Sequence, residues 1–217
     1  MRALAGGVER AAGRLRRLVA NIGAVVALER EATLPTQAVA LGSIVNDALG
    51  EFADDQEGAI DTQIPGELLV AEVWAHQALA SRALVLLTEN ALDFRDDAAV
   101  EVRALGTDRE SQLEVSDHGA GIPPDQRDRI FELFTQVEWS SSRSHEGLGL
   151  GLYLARRIME AHGGPLDLRD HEGGGATFVP GISSGGCCGH ACVTETKRNS
   201  SVPPATSRSN TIPSPRA

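Results

Sequence analysis

The chain has 217 residues, which allows one domain with appendages or two small domains. Apolar residues make up 41 % and aromatics only 4 %, so a core must be built mainly from Leu, Val, Ile and Ala and cannot extend along the whole chain. Lys and Arg total 20 against 30 Asp and Glu, and the resulting charge of −10 argues against non-specific binding to nucleic acid or anionic lipid, though not against a small anion held by backbone N–H groups.

In chain order, residues 1–32 read as one long helix. Val8, Leu15 and Ile22 recur every seven residues, Ala11, Leu18 and Val25 form a second row, and Ala12, Val19 and Val26 flank it. Such a stripe packs either on its own domain or against another helix, including that of a second copy in a homodimer. Its apolar run, Leu18 to Leu28, is interrupted by Asn21 and Gly23 and falls short of the roughly 18 residues of a membrane helix. No membrane segment is expected. Thr33-Leu34-Pro35 ends the helix.

Residues 36–180 alternate between short strand and helix patterns. A strand is expected around Val39 to Leu41, then an amphipathic helix with Ser43 as N-cap and Ile44, Val45, Ala48, Leu49 and Phe52 on one face. Asp54 to Gly58 reads as a polar turn, and Ile60 to Ile64 and Leu68 to Val70 as strands around the Pro65-Gly66 turn. Ala75 to Phe94 is the most apolar helical stretch. Val100 and Val102 alternate with Glu101 and Arg103 in a half-buried strand, and Leu113 and Val115 mark its hairpin partner. Helices follow at about Asp125–Leu133 and Leu150–His162, with strands at Leu166–Leu168 and Ala176–Val179. This order predicts an α+β fold, a two-layer sandwich with helices on one face of a mixed sheet. From Gly181 to Ala217 the chain is rich in Gly, Ser, Thr and Pro, with four of the ten prolines between Pro203 and Pro215. Residues 181–217 are therefore expected to be a disordered tail, with out-of-frame sequence as an alternative origin. All three cysteines lie there, in Cys187-Cys188-Gly189-His190-Ala191-Cys192. One crowded group without a second ligand pair reads as incidental thiols rather than a zinc site, and cysteine usage fits a cytoplasmic setting.

Three glycine clusters carry the functional reading. Asp117-His118-Gly119-Ala120-Gly121-Ile122 follows a strand, and its carboxylate suits an exocyclic amine such as that of adenine. Gly147-Leu148-Gly149-Leu150-Gly151-Leu152 opens a helix, where free N–H groups and the positive dipole end suit phosphate. Gly173-Gly174-Gly175-Ala176-Thr177-Phe178 leads into the last strand. The second cluster is neither a Walker loop, since no Lys-Ser/Thr follows, nor a Rossmann fingerprint, since no strand precedes it.

The ordered set resembles the catalytic ATP-binding domain of bacterial sensor histidine kinases, within the GHKL ATPase superfamily. Residues 81–94 are similar to its N box, Asp117 to Ile122 to its G1 box, Ile130-Phe131-Glu132-Leu133-Phe134 to its F box, Gly147 to Leu152 to its G2 box and Gly173 to Phe178 to its G3 box. The resemblance implies ATP and Mg²⁺ as cofactors. It implies that Asn90 holds Mg²⁺ through its amide oxygen, that Asp117 binds the adenine amino group, and that Gly119, Gly121 and Ile122 shape the adenine wall. Phe94 would lie beside the nucleotide, and Thr177 would contribute to cofactor binding next to Ala176, which stands where the G3 box often has a hydroxyl residue. Gly147, Leu148, Gly149, Leu150 and Gly151 would close on the phosphates. Residues 123–146 would be the ATP lid, with Arg143 as a phosphate contact or a solvated loop charge, and with Phe131 and Phe134 anchoring the lid in the core.

The departures from the family pattern are specific. Leu86 stands four residues before Asn90, where relatives that hydrolyse ATP carry a polar water-activating group, so free hydrolysis should be slow. Glu89 is a substitute base, although adjacent helical residues point about 100° apart. Asp93 replaces a Lys common in the family. None of His76, His118, His145, His162, His171 and His190 sits in a phosphoacceptor context, and His76 reads as a helix-face residue. Residues 14–31 are similar to the second helix of the family's dimerisation hairpin. The implied activity is transfer of the γ-phosphoryl of MgATP to a histidine in a phosphoacceptor domain supplied in trans, with a response regulator as the further partner in two-component signalling. The alternatives are a non-catalytic nucleotide-binding module or truncated kinase remnant, and an anti-sigma-type serine kinase.

Overall fold

A computed structural model of the chain describes residues 2–30, 34–52, 58–106, 111–135 and 149–182. Of the expected tail, residues 183–217, with the cysteine cluster, lie outside the described residues; Gly181 and Ile182 belong to the domain instead, because Gly181 N–H donates to Pro165 O (2.8 Å) and Ile182 packs against the core.

The first element, α1 (Arg2–Arg30), is one continuous helix, as its period requires. Its packed side is narrow: Ala24 is buried, and Ala27 and Leu28 lie against the core. Arg82 fastens it, donating from Nη2 and Nε to Asn21 Oδ1 at 2.7 and 3.3 Å. The rows named above face mostly outward, with Leu15 63 %, Val19 61 % and Ile22 55 % exposed. Both arrangements foreseen for this helix therefore bear on it: it packs on its own domain by one edge and leaves an apolar stripe uncovered there. Val8 and Ala11 lie outside the residues whose side chains are described.

The strand β1 (Gln37–Ala40) runs directly into α2 (Leu41–Leu49). Ser43 is not the N-cap. The helix starts two residues earlier at Leu41, whose N–H is satisfied by Ala71 O (2.9 Å), so no side-chain cap is needed. The second expected difference falls at Leu68 to Val70, where the chain makes a one-turn helix, α3 (Gly66–Leu69), instead of a strand. The strand lies just beyond it, in β3 (Glu72–Ala75), which pairs antiparallel with β1 as a separate two-stranded sheet. Val73 and Ala75 point inward there while Trp74 stays half-exposed. Pro65 lacks an N–H and starts the turn, while its carbonyl accepts from Leu68 and Leu69.

The main sheet has the order β2-β4-β5-β7-β6, built from β2 (Ile60–Gln63), β4 (Val100–Gly106), β5 (Ser111–Ser116), β6 (Leu166–Asp170) and β7 (Ala176–Pro180). Among the described residues only β2 and β4 run parallel; the other neighbours are antiparallel. In β4 and β5 the alternation Val100, Val102, Ala104 and Leu113, Val115 faces the helices, and the intervening Glu101, Arg103 and Glu114 face away. On the helical side lie α2, α4 (Gln77–Phe94) and α5 (Gly151–Ala161), with α4 in the centre. Every residue of α4 from Leu79 to Thr88 is buried, because helices flank it and the sheet lies beneath it. These features are the expected two-layer sandwich.

His76 is not on a helix face. It caps α4, with Nδ1 accepting from Leu79 N at 3.4 Å, and its own N–H donates to His162 Nε2 at 3.0 Å. The stretch expected as a helix from Asp125 to Leu133 forms two separate 3₁₀ turns, Pro124–Gln126 and Arg129–Phe131. Arg127 between them turns to serve other partners, its Nε donating to Ile122 O (3.2 Å) and its Nη2 to Asp170.

Candidate functional site

The site is organised by one face of α4. Leu86, Asn90 and Phe94 are spaced one turn apart, so they form a single row along the helix. At one end Leu86 Cδ2 comes within 3.9 Å of the position a Cβ would take on Gly151, the first residue of α5. At the other end Phe94 O lies 2.1 Å from where a Cβ on Gly119 would be, so only glycine fits. The row thus spans the distance between the start of α5 and the Gly119 loop. Asn90 stands midway and half-buried, its side chain without a hydrogen-bond partner among the described residues.

Asp117 is held at the end of β5 and is 3 % exposed. Its N–H donates to Ala176 O (2.9 Å), and its Oδ1 accepts from Gly119 N (3.0 Å) and Ala176 N (3.1 Å). Both side-chain bonds land on Oδ1, so among the described residues Oδ2 is left for an outside donor. Burial pushes the Asp117 carboxyl above its ordinary range, while the Gly119 and Ala176 amides and the nearby His171 and His118 rings act in the opposite direction. The third glycine cluster makes this contact possible: a Cβ on Gly175 would lie 2.1 Å from Asp117 O, and φ there is +103°. Gly121, at φ +71°, passes within 3.2 Å of Gly175 O by the same measure. The two loops meet backbone to backbone, which explains why both are glycine-rich. Ile122 packs against the core beside them.

Thr177 is buried next to Asp117. Its Oγ1 lies 2.8 Å from Ser116 Oγ and 3.3 Å from His171 Nδ1. Gly149, at φ +65°, accepts from Phe134 N through its carbonyl (3.3 Å), and Thr135 O lies 2.8 Å from where a Cβ on Gly149 would be. Leu150 is the N-cap position of α5 and supplies no side-chain cap, which leaves the first N–H groups of that helix unmatched by a side chain. Arg143, Gly147 and Leu148 lie outside the described residues, as does the Ser140 to Ser144 run. Of the two F-box rings, Phe131 is buried, meets Phe178 edge to face (centroids 6.4 Å apart) and has the Arg156 guanidinium above it. Phe134 is 67 % exposed at φ +61° and anchors nothing in the core, because the clamp to Gly149 turns its side chain outward.

Glu89 is directed away from the Asn90 row. Its Oε1 lies 3.8 Å from Arg17 Nε on α1, and its Oε2 3.8 Å from Arg82 Nη2. Burial raises its pKa, and the two arginines offset part of that. Sequence reasoning did not single out Ser116, Arg127, His118 or His171, all of which touch site residues. Ser116 and Thr177 lie 61 residues apart, and although Arg127 reaches Ile122 over five residues and His171 reaches Thr177 over six, no local pattern marks those contacts.

Residues 75–182 match the family described as histidine kinase-, DNA gyrase B-, and HSP90-like ATPase. The chain is 38 % identical over 121 residues to the adaptive-response sensory kinase SasA of Prochlorococcus marinus, a match that covers 55 % of this chain and 31 % of that kinase. The chain therefore spans less than a third of that relative's length. Among solved structures, the histidine kinase domain of the E. coli osmosensor EnvZ is similar with a TM-score of 0.53 at 25 % identity, over 75 % of this chain and 97 % of that one. Full-length ShkA in complex with AMPPNP is similar with a TM-score of 0.57 at 24 % identity, over 77 % of this chain and 36 % of that one.

Proposed function

Residues 75–182 form a domain of the histidine kinase-, DNA gyrase B-, and HSP90-like ATPase family, and from that premise we propose that the chain binds MgATP and offers its γ-phosphoryl to a histidine on a partner domain. The observation that carries this reading is the Leu86–Asn90–Phe94 row, which abuts the start of α5 at one end and the Gly119 loop at the other. A nucleotide laid along it has its base beside Asp117 and its phosphates at the uncapped end of α5.

The chain's own groups fit both cofactors. Asp117 Oδ2 would accept from the adenine amino group, while Oδ1 stays tied to the loop. Gly119, Gly121 and Gly175 leave the backbone bare where the base would enter, and Ile122 and Phe94 would border it. The N–H groups of Gly151 and the residues after it would hold phosphate oxygens, together with Gly147, Leu148, Gly149, Leu150 and Arg143. The unpartnered Asn90 amide oxygen would hold Mg²⁺, which supplies charge neutralisation at the phosphates. Phosphoryl transfer needs mainly positioning and electrostatic stabilisation, which this set supports. Thr177 acts behind Asp117, through Ser116 and His171. The exposed Leu15, Val19, Ile22 and Val26 row of α1 supports pairing with a second copy. A response regulator would receive the phosphoryl in turn, in the cytoplasm where ATP is available.

The pairing of Glu89 with Arg82 and Arg17 favours a second reading, a nucleotide-binding module without transfer, since it draws the Glu89 carboxylate away from the Asn90 row. Incubation with γ-labelled MgATP, alone and with a histidine-bearing hairpin domain, separates them. Acid-labile label on the partner supports transfer to histidine. Binding without transfer supports the second reading, and acid-stable label a serine kinase. Unchanged MgATP binding in Asn90→Ala would overturn the site assignment.

A further inference from the structure

We propose that Glu101, His118 and His171 form a binding site for a divalent transition-metal ion of the Zn²⁺ class, on the sheet face turned away from the helices. The three residues come from separate parts of the chain: Glu101 from β4, His118 from directly after β5, and His171 from directly after β6. Sheet register brings them together, because Glu101 pairs with Ser116, Ser116 with Thr177, and Thr177 with Arg169.

His118 Nε2 lies 3.4 Å from Glu101 Oε1, and the His118 and His171 rings meet edge to face with centroids 4.5 Å apart. One ligand atom from each of the three residues falls within 4.8 Å of the others. Tetrahedral zinc with bonds of about 2.0–2.2 Å sets neighbouring ligand atoms roughly 3.3 Å apart. The Glu–His pair already stands at that separation (3.4 Å), and the third ligand, within 4.8 Å of both, has at most about 1.5 Å to close. All three side chains are half-buried, so an ion has access while part of its shell is protein.

Both flanking contacts orient the ligands. Arg103 Nη2 engages Glu101 Oε2 at 2.6 Å, which turns Oε1 toward His118. Thr177 Oγ1 lies 3.3 Å from His171 Nδ1 and is itself bonded to Ser116, the kind of outer contact that fixes a ligand imidazole. Two imidazoles with one carboxylate and an open position suit Zn²⁺, Co²⁺ or Ni²⁺ rather than Mg²⁺, which prefers an all-oxygen set. The site is independent of the nucleotide reading, since none of its three ligands was assigned to ATP. Its ion would nevertheless be felt there, because His118 is the residue between Asp117 and Gly119.

The test uses the full chain carrying Cys187→Ser, Cys188→Ser and Cys192→Ser, without nucleotide, titrated with Co²⁺. The expected result is saturation at one equivalent, visible d–d absorption without a thiolate charge-transfer band, and displacement by Zn²⁺. His118→Gln and His171→Gln should each weaken binding by about tenfold or more. In the chain with all its histidines, Co²⁺ should shift the imidazole NMR signals of His118 and His171 and leave those of His76 and His162 in place. Absence of saturable binding, or binding that both variants retain with shifts at other histidines, would show that Glu101 and the two rings form only a hydrogen-bonded cluster.

Discussion

Replacing Asp117 by Asn separates recognition from folding. The two backbone donors, Gly119 N and Ala176 N, both bond to Oδ1, and an Asn carbonyl oxygen can accept both. The change therefore leaves the loop satisfied, and the buried site loses a charge whose desolvation already raises its pKa. Stability should stay within about 1 kcal/mol of the unmodified chain. At the second oxygen, however, an acceptor becomes an NH₂ donor, facing the place proposed for the adenine amino group. A hydrogen bond to a charged acceptor contributes about 1.5–3 kcal/mol, and at about 1.4 kcal/mol per decade the loss of 2–3 kcal/mol weakens MgATP binding about 30- to 150-fold. Asp117→Ala provides the contrast. It leaves two buried amides unpaired, at about 1–3 kcal/mol each, and Tm should fall by about 5–15 °C. Titration calorimetry with MgATP and thermal unfolding of both variants measure the two effects. If Asp117→Asn bound MgATP within threefold of the unmodified chain while remaining folded, Asp117 would not be the base-recognition residue.

Four other outcomes are expected. His162 is held neutral because burial lowers its pKa and its Nε2 accepts from His76 N–H; its contribution is complete above the ordinary value of 6.5 and is lost as pH falls below it toward the depressed native value, with a slope of up to about 1.4 kcal/mol per pH unit. Urea midpoints from pH 5 to 8, compared with His162→Gln, isolate that term as a difference that should vanish above neutrality. Gly175→Ala must place a Cβ 2.1 Å from Asp117 O at a φ of +103°, so it should lose about 3 kcal/mol by urea unfolding; a loss under 1 kcal/mol would mean the two loops do not meet as described. Arg82→Met removes both bonds to Asn21 and a counter-charge of Glu89, costing about 2–3 kcal/mol, and hydrogen exchange should rise in α1 before it rises in the sheet. Ile22→Asp, in the middle of the exposed row of α1, should shift the chain from dimer to monomer in sedimentation, and a sedimentation profile identical to that of the unmodified chain would remove the stripe as a pairing surface.

The parts of the fold that were legible are those written in periodicity. The alternation in Val100–Arg103 and Leu113–Val115 and the long helical stretches around α1, α4 and α5 appear where side-chain spacing places them. The ordered glycine clusters were legible too, since glycine at a fixed place in a series signals backbone that must come close to something. The failures share one cause. The start of α2 depends on a hydrogen bond from Leu41 N–H to Ala71 O, β3 on pairing with β1, and the break in the Asp125–Leu133 stretch on the pull of Ile122 O and Asp170 on Arg127. Each is a partner thirty or more residues away, or a competing tertiary contact that overrides local preference. An uncapped serine and a four-residue strand carry too little local energy to resist that.

The same division holds at the site. Asp117, Gly119 and Gly175 are visible in sequence because glycines grouped around a carboxylate mark bare backbone that must pass close to a neighbour. What each glycine avoids, Phe94 O in one case and Asp117 O in the other, exists only once α4 and β7 are packed beside the loop. Glu89 shows the opposite case: it neighbours Asn90 in sequence, but the turn of the helix hands it to Arg17 and Arg82. By itself the sequence determined the order of the elements, the layered sandwich and where bare glycine backbone gathers, because these follow from patterns within one segment. Only the tertiary structure decided which face of α1 stays open, which way Glu89 points and that Glu101, His118 and His171 meet, because strand register and helix packing set those distances across the chain.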